Sequence, residues 1–257
     1  ISSNNENRKI SNEKRCVLST CMQKVLSQST SIEKRFSFIP RYLVKVCENP
    51  DVFVERCKSC IEFLNSMNEY ERGISEIILK QLFLKGNSAV TTSYEVEQTL
   101  RAISSAIERL RNIKNKGSLH SAFSEFLFVR CVSNYDFQER LGIIVEIVLQ
   151  GVEKGLDVKQ IFSGIARASL RSSDLAVHTM RGCLRLLSAG IDPVKFVFSC
   201  EKIDSIFGKR APEIMSKIAT AYIANQPEKA KDIDEMLTKI KNRTEVMKFL
   251  EDFLDKQ

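Results

Sequence analysis

The spacing Cys57-Lys-Ser-Cys60 places two thiols where they could share a chemical task. A Cys-x-x-Cys pair occurs in redox-active disulfides and supplies part of many zinc sites. A four-ligand zinc site would also need Cys47 together with Cys16 or Cys21. The stretch around the pair is apolar at helical spacing, and free cysteine is among the most buried residue types. We therefore interpret both thiols as core residues and expect no metal and no cofactor.

Acid–base or nucleophilic catalysis has few candidate residues in this chain. The two histidines, His120 and His178, lie near no serine, cysteine or aspartate signature of a catalytic site. No glycine-rich phosphate loop follows a predicted strand. We expect His120 to be exposed in the first turn of a helix, and His178 to lie at the edge of a core. The sequence therefore predicts no catalytic residue, and a thiol- or metal-dependent enzyme is the least favoured alternative.

The basic residues with the most suggestive spacing are four arginines. Arg167 and Arg171 are four residues apart on one predicted helix, and Arg181 and Arg185 are four apart on the next. On a helical wheel both pairs lie away from the apolar stripe, and only Asp174 is close in sequence to neutralise them. Guanidinium groups bind phosphate and carboxylate bidentately. The four arginines are the candidate partner-binding residues, and a solvated helix surface is the alternative.

The elements that position these residues are predicted to be helices throughout. Apolar residues recur at helical spacing, with short turn signals between the segments. The composition, with 10 Gly, 5 Pro and no Trp, leaves little room for a turn-rich β architecture. The predicted helices are 13–28, 38–48, 51–66, 69–85, 93–116, 119–132, 135–154, 158–171, 174–189, 193–207, 211–224, 228–240 and 243–255.

An internal repeat of 35 residues organises the second half of the chain. Gly155-Leu-Asp157 recurs as Gly190-Ile-Asp192, and one further step reaches Asn225. Glycine and asparagine suit the left-handed position after a helix, and aspartate caps the helix that follows. The predicted units are the helix pairs 51–86, 119–155, 157–190 and 192–225. Because one helix pair cannot bury its apolar stripe alone, we expect tandem helical hairpins that form an α-solenoid or a solenoid-like bundle.

A helical hairpin of this length that ends in Gly190-Ile-Asp-Pro193 resembles the pentatricopeptide class and, less closely, the tetratricopeptide class. The resemblance covers residues 119–225. The tryptophan, tyrosine, alanine and proline pattern of the tetratricopeptide class is not found, and Gln160 occupies the position where the pentatricopeptide class carries an aromatic residue. The resemblance to pentatricopeptide repeats implies a superhelix that reads about one RNA base per hairpin. No base-reading residue is carried over.

Composition limits the remaining possibilities. The 257 residues carry 39 Lys+Arg against 32 Asp+Glu, a net charge of +7 that favours encounter with acidic partners or nucleic acid. No apolar run is long enough for a membrane span. Eight cysteines in apolar settings predict an intracellular reducing compartment, which is the cytoplasm or, if a targeting segment has been removed, an organelle.

The predicted organisation has three parts: a mobile leader over 1–12, an N-terminal helical subdomain over 13–92, and a hairpin-repeat region over 93–257 that ends in capping helices. The function we expect is that of a non-enzymatic interaction module, a scaffold or adaptor that presents an extended helical surface to another protein or a peptide segment. RNA binding through the basic surface is the alternative.

Overall fold

The computed structural model describes residues 13–14, 16–24, 27, 34–84, 88–114, 116–123, 127–128 and 130–254, without the side chains of residues 116, 118 and 226–228. Within that part of the chain every regular element is helical, which confirms the all-α class. The predicted leader lies outside the described residues, and the predicted helix 13–28 lies partly outside them. The helices are α1 (Phe38–Val46), α2 (Pro50–Asn65), α3 (Glu69–Leu84), α4 (Ser93–Leu110), α5 (Lys116–Ala122), α6 (Asn134–Glu153), α7 (Val158–Arg171), α8 (Ser173–Ser188), α9 (Val194–Phe207), a 3-10 turn (Gly208–Arg210), α10 (Ala211–Ala224), α11 (Gln226–Lys239) and α12 (Arg243–Leu254).

The described residues divide into two compact units. Unit 1 contains those up to Glu108 together with Arg130–Gln138, and unit 2 contains those of Arg109–Val129 and Glu139–Gln257. The sequence-based boundary between 92 and 93 stays a prediction. Among the helices described, none combines the length and the apolar character that crossing a bilayer demands.

In unit 1, a side-chain cap marks the start of α2 and aromatic packing joins α1 to α3. The side chain of Asn49 accepts a hydrogen bond from the Val52 amide (3.0 Å) and so caps α2, which begins at a proline as helices often do. The ring of Tyr42 in α1 stacks on Phe83 in α3, with centroids 4.4 Å apart. These contacts enclose an apolar core.

The helices of unit 2 fall into two series, the first helices α5, α7, α9 and α11 and the second helices α6, α8, α10 and α12. Each first helix packs on the next, and among the second helices α8 packs on α10 and α10 on α12. Within the pairs α7/α8 and α9/α10 the two helices pack on each other, while α8 also contacts α9 and α10 also contacts α11. The pairs α7/α8 and α9/α10 occupy the predicted units 157–190 and 192–225.

The second helices share one pattern of burial. When α6, α8, α10 and α12 are compared at steps of 35 residues, three equivalent positions are buried in all four helices. An apolar face that recurs at one spacing packs successive helices in one register. The equivalent buried sets are Leu141, Ala176, Ala211 and Val246; Ile144, Thr179, Ile214 and Phe249; and Val145, Met180, Met215 and Leu250.

Two of the three predicted left-handed caps are confirmed. Gly155 and Gly190 have φ of 67° and 78° and terminate α6 and α8. The prediction for Asn225 is wrong, because its φ is −97°. Its side-chain amide donates to the carbonyl of Ala221 (2.9 Å), so the end of α10 is satisfied without a left-handed residue. The expected aspartate cap is present at Asp157, which accepts from two amides of α7.

Two predicted helices are too long. The helix predicted over 93–116 ends at Leu110, where the Ile113 amide bonds to the Leu110 carbonyl in a tighter turn. The helix predicted over 119–132 ends at Ala122. Phe123 and Phe128 are buried, stacked rings outside this helix, so the spacing of apolar core residues produced the helix-like pattern.

Two glycines permit close helix contacts in unit 2. A Cβ added to Gly164 in α7 would lie 2.6 Å from Cγ2 of Val197 in α9. A Cβ added to Gly182 in α8 would lie 2.4 Å from Cζ of Phe196 in α9 and 3.2 Å from Cβ of Ala219 in α10. Separations this short exclude any side chain at these positions without movement of the neighbours.

Candidate functional site

The arginines of α7 differ in their surroundings. Arg167 donates from Nη1 to Oε2 of Glu201 in α9 (3.0 Å), and its guanidinium lies 5.1 Å from the ring centroid of Phe198. Arg171, one turn later, is exposed, and no ion pair joins it to another residue that the structure describes. Arg167 therefore fastens α7 to α9, whereas Arg171 keeps its donors available to solvent or a partner.

The arginines of α8 reach two other helices. Arg181 donates from Nε to Oε1 of Glu139 in α6 (3.0 Å), and its Nη2 contacts the same oxygen. Arg185 donates from Nη2 to the hydroxyl of Thr220 in α10 at 3.3 Å. Both side chains therefore link neighbouring second helices of unit 2.

Two of the arginines are neutralised by carboxylates that are distant in sequence, which the proximity of Asp174 along the chain did not indicate. Glu201 and Glu139, which lie 34 and 42 residues away along the chain, pair with Arg167 and Arg181. The described contacts direct Arg167, Arg181 and Arg185 toward three different helices and leave Arg171 exposed, so they do not bring the four arginines to one ligand position. Their role in partner contact stays a prediction.

A pocket of about 230 Å³ lies between the first helices α9 and α11. Lys202 donates from Nζ to the carbonyls of Leu237 (3.1 Å) and Thr238 (2.8 Å), which are in the last turn of α11. A cation there complements the negative end of the helix dipole. The other residues that line the pocket are Lys195, Phe198, Ser199 and Asp234.

The carboxylate in this pocket is fixed by a buried tyrosine. The Tyr222 hydroxyl, from α10, donates to Oδ1 of Asp234 at 2.5 Å, and Tyr222 itself is fully buried. Burial raises the pKa of Asp234, with a smaller contribution in the same direction from Asp192, while the Tyr222 hydrogen bond and Lys195 oppose the rise. Burial and the neighbouring Asp234 likewise raise the pKa of Tyr222, which keeps its hydroxyl protonated as the donor. The histidines and arginines that stand out in the sequence do not line this pocket, so they did not predict it.

A second, wider groove of about 560 Å³ lies between α11 and α12. Its floor contains the fully buried Phe249 and the nearly buried Ile240, and lysines stand at its rim. Glu245 at the rim already accepts from the amide of Lys241 and from the Asn242 side chain, which caps α12. The groove is therefore polar at its edge and closed at its base.

Three buried cysteines of unit 1 lie in environments that suppress thiolate formation. Cys47, Cys57 and Cys60 are buried in unit 1, whereas Cys16 is exposed. Burial raises the pKa of Cys47 to about 11 and that of Cys57 to about 12, with smaller effects from neighbouring groups, and it raises the pKa of Cys60 as well. Since the thiolate is the reactive and metal-binding form, these buried thiols are weak nucleophiles at neutral pH.

The remaining metal and acid–base candidates are few. Within the described residues, no three histidine, cysteine, aspartate or glutamate side chains converge in a way that could hold a metal ion. His178 is half-buried, with Nδ1 2.8 Å from the Asp174 carbonyl oxygen, and His120 is exposed. The exposure of His120 and the half-buried position of His178 match the sequence-based interpretation, but His120 lies in the last turn of its helix and not in the first.

Comparison of the chain with protein-family models, with curated proteins and with solved structures found no match in any of the three. A functional proposal therefore rests on the geometry of the chain itself.

Proposed function

We propose that this chain is a helical-repeat interaction module in which unit 2 stacks helix pairs of about 35 residues as an α-solenoid and binds a segment of another protein. The observation that carries the proposal is the shared burial of α6, α8, α10 and α12 at steps of 35 residues. Repeat units that pack only on their neighbours present equivalent outward faces, which provide extended binding surfaces.

Contacts between equivalent positions support the same architecture. Arg167 reaches from α7 to α9, and Lys202, which lies 35 residues later, reaches from α9 to α11. Arg185 and Thr220, which are 35 residues apart, join α8 to α10. Each interaction links one helix to the corresponding helix of the next pair.

The face formed by the first helices is the better binding surface. On the second helices, Arg181 and Arg185 are already engaged by Glu139 and Thr220, and Ser188 donates to Gln150 at 3.3 Å. The first helices carry the pocket between α9 and α11 and the exposed Arg171. Arg167 and Lys202 on the first helices are engaged as well, but a partner segment that crosses these helices also meets Arg171 and Lys195, which are exposed and form no ion pair in the described part of the chain.

RNA is the second candidate partner. The net charge of +7 and the exposed Arg171 favour contact with phosphates. The pairing of Arg167 and Arg181 with carboxylates lowers the positive charge that remains for a nucleic-acid backbone. We therefore propose a protein segment as the principal partner.

Affinity capture of the tagged full chain, with and without nuclease, tests the partner class. A protein partner remains bound after nuclease and shows a modest dependence on salt, because few counterions are released. Reversal of Arg171 to Glu should weaken capture more than reversal of Lys154, an exposed residue between the helix pairs. Loss of all captured protein after nuclease, together with a steep salt dependence, would replace this proposal with RNA binding.

A further inference from the structure

We infer that the pocket between α9 and α11 binds an acidic peptide segment of the partner, with carboxylates on Lys195 and Lys202 and an apolar side chain against Phe198 and Leu237. This inference rests on the proposed interaction module and names the chemistry of its ligand. Two ammonium groups, two apolar walls and one fixed carboxylate line the pocket.

The two lysines of the pocket form no ion pair with a described carboxylate, although Lys195 is close enough to Asp234 to lower the pKa of that carboxyl. In the part of the chain that the structure describes, no carboxylate forms an ion pair with Lys195 or Lys202. An ammonium group has three donors. Lys202 directs two of them to carbonyl oxygens of α11, which leaves one donor for a ligand. Lys195 is exposed and keeps all three.

Asp234 makes the pocket selective. Its Oδ1 is occupied by the Tyr222 hydroxyl, so Oδ2 is the oxygen that remains for a ligand donor such as a peptide N–H. A carboxylate or a phosphate beside Asp234 would be repelled by its negative charge. A peptide avoids this repulsion, because it can place a main-chain amide at Asp234 and its acidic side chains at the lysines. The arrangement suits a main chain that carries carboxylates at intervals.

The volume of the pocket and its apolar walls suit a side chain of a bound peptide. At about 230 Å³ the pocket is smaller than the roughly 300–1,000 Å³ typical of sites for drug-sized ligands. Phe198 is half-buried, with the Arg167 guanidinium over its ring, and Leu237 is almost fully buried. One apolar side chain fits between them with its neighbouring carboxylates at the lysines.

Single-stranded RNA fits the same surface less well. Nucleic-acid channels stack bases on exposed aromatic rings. The guanidinium of Arg167 already lies over the ring of Phe198, and Glu201 neutralises that arginine. Asp234 adds a further negative charge in the pocket.

The test uses the full chain and a fluorescein-labelled peptide of alternating glutamate and leucine, with fluorescence anisotropy as the readout. An all-glutamate peptide and an oligouridine of equal length are the comparison probes. Lys195→Glu reverses an exposed charge in the pocket, and Thr238→Glu adds a carboxylate at its edge. Lys209→Glu makes the same charge change on the exposed 3-10 turn outside the pocket.

We expect Lys195→Glu and Thr238→Glu each to weaken binding of the alternating peptide by about tenfold or more, while Lys209→Glu changes it less than about threefold. Equal losses in all three variants, equal affinity for the all-glutamate peptide, or tighter binding of oligouridine would each overturn the inference. A natural protein partner that still binds the Lys195→Glu chain would preserve the interaction module and reject only this pocket. Failure to bind any protein would reject the module.

Discussion

Replacement of Gly182 by alanine perturbs a close contact of α8 with α9 and α10 in unit 2. The added methyl would lie 2.4 Å from Cζ and 2.8 Å from Cε1 of Phe196. Carbon atoms in favourable contact are about 3.5–4.0 Å apart, so the overlap exceeds about 1 Å. Phe196 is fully buried and its ring lies edge-on to Tyr222, with centroids 6.3 Å apart. The ring therefore cannot move away without disturbing the next helix pair.

The magnitude follows from two opposing effects. Overpacking of a core costs about 1–3 kcal/mol, and the severity of this overlap places the cost near 3 kcal/mol. Alanine gains about 1 kcal/mol over glycine inside a helix. We expect the Gly182→Ala protein to lose about 2 kcal/mol of unfolding free energy. Gly142 in α6 is the matched control, because an added Cβ there has no atom within 4 Å.

Urea unfolding followed by far-ultraviolet circular dichroism measures both variants, and hydrogen exchange of α8 and α10 assigns the change to unit 2. Gly142→Ala should gain about 0.5–1 kcal/mol. The helix preference of alanine is common to both variants, so their difference of about 3 kcal/mol isolates the packing cost. Equal stability of the two variants would refute the close contact between α8 and α9.

Three further outcomes are expected. Gly190→Val should lower the unfolding free energy by about 1–2 kcal/mol, because a β-branched residue resists the φ of 78° at that cap; an unchanged urea midpoint would contradict this. Thiol titration of the native chain should modify Cys16 quickly and Cys183 only after unfolding, because Cys183 is fully buried and burial raises its pKa; metal analysis of the same protein, purified without chelator, should find no stoichiometric zinc. For Glu76, burial opposes ionisation, but hydrogen bonds from Lys80 and Arg35 outweigh it and lower the pKa. The stability that Glu76 contributes is thus present above its unfolded pKa and lost as the pH falls through its folded pKa. Glu76→Gln should reduce the acid-induced loss of stability measured by urea unfolding between about pH 5 and pH 2, and a pH profile identical to the parent's would contradict this.

The fold followed from the sequence where local signals agreed with tertiary packing. Helix α7 was predicted at the bounds it has, because Asp157 caps its start and its apolar residues repeat regularly. The glycine caps at 155 and 190 were predicted correctly for the same local reason. The prediction failed at Asn225, where a side-chain hydrogen bond replaced the left-handed turn. It also failed beyond Ala122, because the spacing of buried aromatic residues there does not distinguish a non-helical segment from a helix.

The candidate site was harder to predict from the sequence than the fold. The helical wheel placed Arg167 correctly on the exposed side of α7, but it could not show Glu201, which packing brings from the next helix pair. The pocket at Lys195 and Lys202 combines α9 with α11, and its carboxylate is set by Tyr222 from α10. The 35-residue step was the available signal, since it places Lys202 at the position equivalent to Arg167. The remaining contacts of the pocket depend on how α9, α10 and α11 pack on one another, and the 35-residue step alone does not specify that packing.

Site-specific photo-crosslinking tests the central claim most directly. A photoreactive amino acid is placed at Ser163 or Ser205, which are exposed on the first helices α7 and α9, or at Gly142 or Glu213, which are exposed on the second helices α6 and α10. An interaction module that uses its first helices predicts nuclease-resistant crosslinks to one protein partner from Ser163 and Ser205, with few or none from Gly142 and Glu213. Equal crosslinking from both sets, or crosslinks only to RNA, would contradict the account.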